Sequence, residues 1–252
     1  MSRTRILVCA TLVAAVGVAW ALTAKQIIER ADQQMRGDTS HGTMEMEVIT
    51  PDWHRTMRME FWEDTDGDKA FVRVLAPQKD RGTASLKLGN EMWTYMPEIE
   101  RSMKIPPSMM QQSWMGSDFT NDDMVKSSSI VDDYYHEITD TTTMGGMQVY
   151  EVTLTPKEEA VVVWGAIVYY AREGDYLPLR QDFYDEDGNL VRKMFFEDFR
   201  SIGGRVIPAE MTLVPLTEED EGDTTIMRWV DIDFNVDISS RVFTRANLER
   251  AR

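Results

Sequence analysis

From Met44 onward, segment after segment of this chain places an apolar residue at every second position. Met44, Met46 and Val48 alternate with Glu45 and Glu47, and Met57, Met59 and Phe61 alternate with Arg58 and Glu60. Ala84, Leu86 and Leu88 alternate with Ser85 and Lys87, and Tyr150, Val152 and Leu154 with Glu151 and Thr153. Ile207, Ala209, Met211 and Leu213 follow the same rule. Successive side chains of a strand point to opposite faces, so this period sets one face against an apolar interior and the other against water, as in antiparallel sheets. Further strands are predicted through residues 69–76, 167–171, 177–184, 190–200 and 224–236. Asp66-Gly67, Asp187-Gly188 and Gly203-Gly204 lie between strand segments, where hairpin turns need positive φ. The expectation is a mainly β chain of the α+β class, with about eleven strands in nearly unbroken antiparallel order.

Helical signals are few. Thr23 and Gln26 spell a capping box, Ile27, Ile28, Ala31 and Met35 then recur on one helical face, and Gly37 ends the run. A short helix is predicted within 119–127, capped by Thr120 with Asp123 three residues on, and a further turn of helix within 157–164. The acidic run at 217–223 (TEEDEGD) reads as a loop joining two strands. With no linker or repeat, residues 25–252 are read as one domain.

Residues 1–24 are set apart. Arg3 and Arg5 precede an apolar run from Ile6 to Val18 that is short for a bilayer span, and small-x-small patterns follow at Ala19-Trp20-Ala21 and Leu22-Thr23-Ala24. This is the pattern of a secretory signal peptide cut after Ala21 or Ala24, which predicts a periplasmic protein. The single cysteine, Cys9, lies inside the apolar run, so the mature chain has no thiol and draws its stability from a core rather than from disulfides. A formal net charge of −16 argues against nucleic acid as a partner.

No constellation for catalysis emerges, and the chain is read as a non-enzyme with no cofactor and no metal. Asp64, Asp66 and Asp68 suggest a calcium loop, but glycine falls at the fourth position from Asp64 and Leu75 at the twelfth, so a hairpin turn is expected instead. His41, His54 and His136 are unpaired at ligand spacing, and Ser117 lacks the second glycine of a nucleophile elbow. Asp122-Asp123 and Asp132-Asp133 are read as solvated or helix-capping pairs.

What remains is an apolar surplus: 18 methionines and seven tryptophans. A solid β interior is better specified by Val, Ile and Leu, whereas methionine covers irregular or changing surfaces. The stretch from Gly89 to Met124 concentrates this feature. A strand carrying Trp93 and Tyr95 turns at Pro97-Glu98, returns through 101–105, and is stopped by Pro106-Pro107. Met109, Met110, Trp114 and Met115 follow in a loop more apolar than a solvated loop should be, which makes them the candidate lid or entry rim.

The pattern Gly89-Asn90-x-x-Trp93-x-Tyr95-x-Pro97 is similar to a strand of LolA-type periplasmic lipoprotein carriers. The blocks Pro97-x-x-x-Arg101, Met115-Gly116-Ser117-Asp118-Phe119-Thr120-x-Asp122-Asp123-Met124, Leu177-Pro178, Ile207-Pro208 and Phe243-Thr244-x-x-Asn247-Leu248 resemble the outer membrane lipoprotein-sorting branch of that superfamily. The resemblance implies a strongly curved antiparallel sheet forming an unclosed half-barrel, plugged by a few helices, with an apolar cavity for lipid or lipoprotein acyl chains. It implies a carrier working toward an outer-membrane acceptor, with an inner-membrane exporter of the resistance-nodulation-division (RND) type as a companion. The rival is a module docking on an exporter without carrying lipid, its apolar loop serving as the interface. On the alternation above, Met46, Met57, Met59, Phe61, Leu86, Leu88, Trp93, Tyr95 and Met103 are expected to line the cavity. LolA-type carriers latch their lid with an arginine near a Trp-rich strand after the first hairpin. The comparable stretch here, Glu60 to Asp66, holds only acids beside Phe61-Trp62, so that latch is not expected there.

Overall fold

The computed structural model describes residues 22–126, 130–160 and 162–250; the segment read as a signal peptide lies outside them except for Leu22, Thr23 and Ala24. One antiparallel sheet of thirteen strands runs through almost the whole described chain. The first six strands are β1 (Thr39–Ile49), β2 (His54–Asp64), β3 (Lys69–Ala76), β4 (Ala84–Leu88), β5 (Glu91–Met96) and β6 (Arg101–Lys104). The rest are β7 (Tyr134–Met144), β8 (Met147–Pro156), β9 (Ala166–Arg172), β10 (Pro178–Tyr184), β11 (Leu190–Ile202), β12 (Arg205–Pro215) and β13 (Thr224–Phe234).

The strand order is β6-β5-β4-β3-β2-β1-β13-β12-β11-β10-β9-β8-β7. Two meanders therefore meet at the β1–β13 pair, and the sheet's two edges, β6 and β7, are consecutive in the chain. Of the connection between those edges, residues 105–126 pack over the inner face. Residues from β2 and β9 line one common cavity, so the sheet is curled, and its edges leave it unclosed.

The sheet has two strands more than the eleven expected, and the strand that no predicted segment covered is β7. Its sequence, YYHEITDTTTM, is mostly exposed and has no apolar alternation to read. The three hairpin turns and the acidic loop at 217–223 fall where expected. Asp64 accepts a hydrogen bond from the Gly67 amide (2.8 Å) and pairs with Lys69, which makes it a turn residue.

Three helices are present among the described residues: α1 (Ala24–Arg36), α2 (Asn121–Lys126) and α3 (Arg245–Leu248). The Thr23 hydroxyl accepts from the Gln26 amide (3.3 Å), the Gln26 side chain accepts from the Thr23 amide (3.0 Å), and Gly37 closes α1. Thr120 and Asp123 exchange the same pair of bonds at α2. Where a further turn of helix was expected, within 157–164, none of the described residues is helical.

Three apolar clusters hold the fold. In the first, Met44, Met46, Met57, Met59, Val74, Met92, Leu213 and Met227 pack beneath residues 105–126. Cross-strand pairing sets Met57, Met46, Met227 and Met211 side by side over four strands. In the second, Ile27, Ile28 and Ala31 of α1 pack on Val152, Leu154, Ile167 and Tyr169. The third lies on the outer face, where Phe243, Leu248 and α3 cover Phe71, Leu86, Trp93 and Tyr95. Between β1 and β13 a bulge leaves Val230 without a partner and exposed. Gly42 faces this bulge. A Cβ there would lie 2.1 Å from the Asp231 carbonyl oxygen, so only glycine fits.

Candidate functional site

A cavity of about 310 Å³ lies between the inner face of the sheet, α1 and the 105–126 segment. Its floor comes from Met44 on β1, Phe61 on β2, Val72 on β3, Met227 and Trp229 on β13, and Met211 on β12. Its far wall comes from Met194 and Phe196 on β11, Phe183 on β10 and Ile167 and Tyr169 on β9, together with Trp164. Trp114 and Phe119 close it from the lid side, and Met35 from α1. Aliphatic, thioether and aromatic surface dominates, which suits an apolar guest, and the volume falls at the small end of ligand pockets.

Charge enters the wall at two places. At the C-terminal end of α1, Asp32 lies 3.8 Å from Arg36, which also bonds Glu63 of β2. Burial pushes the Asp32 carboxyl up to about 6, against the pull of Arg36, with Glu63 adding to the rise. The second place is α2. Asp123 makes a bidentate pair with Arg192 of β11, at 2.8 and 2.6 Å, and both side chains are almost wholly buried. The Arg192 guanidinium lies against the Trp164 (4.0 Å) and Phe183 (4.3 Å) rings, which meet each other edge-on. Asp122 pairs with Lys126 (3.2 Å), and burial raises its carboxyl above the ordinary value. The reading of Asp122-Asp123 as a capping pair holds for Asp123, but neither carboxylate is solvated in the way expected. Asp132 does lie at the surface, beside Lys25.

The lid itself is a 3₁₀ turn (Pro107–Met109), a loop and α2, fixed to the sheet at separate points. The Trp114 indole donates to the Ser85 hydroxyl of β4 (3.1 Å). Arg55 of β2 donates to the Met115 carbonyl (3.3 Å). The Asp118 amide donates to the Thr225 hydroxyl of β13 (3.0 Å), which in turn donates to the Asp118 carboxylate (2.7 Å). Arg192 holds Asp123. Internally, Asn121 donates to the carbonyls of Met109 and Gln112, and Gly116 takes φ +74 to turn the chain. The block from Met115 to Asp123 is thus a set of lid fastenings.

The expected site residues divide by face. Phe61 lines the cavity. Met46, Met57 and Met59 point inward but are fully buried in the adjoining cluster, beside the cavity rather than on its wall. Leu86, Leu88, Trp93 and Tyr95 point outward, into or against the cluster under α3. The physical reason is the two-residue period of β5. Its inward residues are Met92, Thr94 and Met96, so Trp93 and Tyr95 belong to the other face. Met103, on edge strand β6, is 42% exposed. Of the expected rim, Trp114 is buried and lines the cavity, while Met109, Met110 and Met115 are half-buried against the first cluster. The wall residues from β9 to β13, and Arg192, were not anticipated. Arg192 could not be read because its partner lies sixty-nine positions away.

The comparisons agree with this geometry. Residues 66–250 match the model of a protein family described as "Uncharacterized protein". No curated protein matches the chain. Among solved structures, a DUF1329 family protein from Desulfovibrio piger is 24% identical, with a TM-score of 0.80 over 89% of this chain and 97% of that one. A domain from Vibrio parahaemolyticus described as an outer membrane lipoprotein-sorting protein is 22% identical, with a TM-score of 0.78 over 90% and 98% of the two chains. A LolA superfamily protein from Nitrosomonas europaea is 20% identical, with a TM-score of 0.76 over 90% and 100%. At these identities the likeness establishes the fold.

Proposed function

The chain belongs to the protein family whose model matches residues 66–250 and has the LolA-like fold, and on that premise we propose that it is a periplasmic carrier of lipid or lipoprotein acyl chains. The observation that carries this reading is the apolar cavity of about 310 Å³, enclosed by an unclosed sheet and a methionine-rich lid. A dry, filled interior would have favoured the rival docking module. The carrier moves its cargo toward an outer-membrane acceptor, with an RND-type exporter as a candidate donor. Cleavage of the signal peptide after Ala21, rather than after Ala24, leaves the Thr23 cap of α1 in place.

Burying an acyl chain gains about 0.8 kcal/mol per CH₂ relative to water, and a bilayer offers the same gain. A carrier therefore needs only to match the membrane closely; tighter binding would prevent delivery. Methionines adapt to the guest, while the lid excludes water and can be released at its fastenings one by one.

The test is uptake of a fluorescent fatty-acid analogue by the purified mature chain, together with mass spectrometry of co-purifying lipid. Met194→Trp, which fills the cavity from β11, should lower uptake at least about tenfold while leaving far-UV circular dichroism unchanged. No uptake by the unmodified chain refutes the carrier reading.

A further inference from the structure

The wall of the cavity contains a buried ion pair that an apolar cargo does not need. Arg192 and Asp123 both line the cavity, and their side chains are only 7% and 12% exposed. Two hydrogen bonds join them, and the edge-to-face pair Trp164–Phe183 packs against the guanidinium. Asp123 belongs to the lid and Arg192 to the sheet. Lifting α2 would therefore strand a buried cation against two aromatic rings, which is strongly unfavourable unless another anion takes the vacated place. Planar, bidentate oxyanions are the groups that fit a guanidinium fork.

We infer that the cargo is an anionic amphiphile whose head group displaces Asp123 from Arg192, so that loading and lid release are one ion-exchange step. The inference rests on the carrier reading and specifies its substrate class. The head group is a carboxylate or a phosphate, with the apolar tail lying along Met194, Met211, Met227 and Phe61. No bond is made or broken covalently. Arg192 keeps one oxyanion partner throughout, and the Asp123 carboxylate passes to solvent as α2 moves. A neutral amphiphile of the same length can fill the tail site but leaves the pair, and the lid, as they are.

The experiment uses the full mature chain loaded with a neutral fluorescent alkyl probe, which is then displaced by dodecanoate, dodecyl phosphate or dodecanol. The two anions should displace the probe at concentrations at least about tenfold lower than dodecanol does, the ratio expected from a charge-assisted bidentate contact. That advantage should disappear in Arg192→Met/Asp123→Met, which removes both charges and leaves none stranded. Asp123→Asn, which keeps Arg192 without its competitor, should bind the anions more tightly still. Hydrogen exchange at the α2 amides should quicken on adding dodecanoate and not on adding dodecanol. If only one anion shows the advantage, the head group is that one and the inference stands in narrower form. Equal displacement by all three, or an advantage that survives the double variant, overturns the inference and leaves the carrier reading intact. If neither the probe nor any amphiphile binds, the carrier reading falls and the inference falls with it.

Discussion

The inner face of one continuous sheet is roofed in two unlike ways. Over β7–β10 the roof is α1, a regular helix with both ends capped, packed through Ile27, Ile28 and Ala31 onto Val152, Leu154, Ile167 and Tyr169. Over β1–β5, β12 and β13 it is a loop with one 3₁₀ turn and a six-residue helix. The side chains beneath differ in the same way. Met44, Met46, Met57, Met59, Met92 and Met227 are buried under the loop, with Met109, Met110, Met115, Met124 and Met211 packed around them. The α1 side has no buried methionine among its described residues, and only Met194, at the boundary, touches both clusters. Branched and aromatic side chains have few rotamers and specify one packing, whereas a thioether chain repacks at small cost. The methionine surplus is therefore local. It sits where the roof is irregular and where the cavity begins, so the adaptable half serves the guest and the rigid half serves the fold.

The comparison breaks most visibly under large-to-small substitutions. Ile28→Ala, in the α1 half, should lower stability by about 3 kcal/mol, read from the midpoint of chemical denaturation. Met57→Ala, equally buried in the lid half, should cost less, about 2 kcal/mol, because a site that can collapse is left with a smaller void. A larger loss for Met57→Ala would mean that the methionine cluster is as rigid as its counterpart.

Asp32 sits on the seam between the two halves, and its effect depends on pH. Its carboxyl titrates near 6 in the folded protein against an unfolded value of 3.8, so the folded state binds more protons between those limits. Stability from this group is present below pH 3.8 and is lost as pH rises through 6. Asp32→Asn should thus stabilise the chain by about 3 kcal/mol at pH 8 and have no such effect at pH 3.5, by the linkage of about 1.4 kcal/mol per pK unit. A gain independent of pH would place its origin elsewhere than the buried charge.

Most of the sheet was legible because its strands bury one face, and alternation records that directly. The exception, β7, is an edge strand whose threonines and charges carry no such record. Both capping boxes were legible because the bonding residues are three positions apart. The cavity wall was less so. Alternation says which residues of a strand share a face, but not whether that face is inner or outer. Leu86, Trp93 and Tyr95 share a face, and only the C-terminal segment, packed through Phe243 and Leu248, decides that it is the outer one. The lid's apolar character was visible in Met109, Met110, Trp114 and Met115. Its fastenings to Ser85, Thr225 and Arg192 were not, since each joins residues far apart in sequence.

The smallest expected effect tests whether the two halves are independent. The Thr23 side chain accepts the Gln26 amide bond and begins α1, remote in sequence from the lid. Thr23→Ala should cost about 1 kcal/mol, the usual loss for an N-cap hydroxyl. The loss should appear as faster hydrogen exchange in the first turn of α1. If the rigid half only supports the fold, uptake of a fluorescent acyl probe and exchange at residues 105–126 should stay as they were. If fraying α1 also loosens the lid, the roofs are coupled through the cavity between them, and Met35 and Asp32, which α1 contributes to its wall, are the residues through which that coupling would pass.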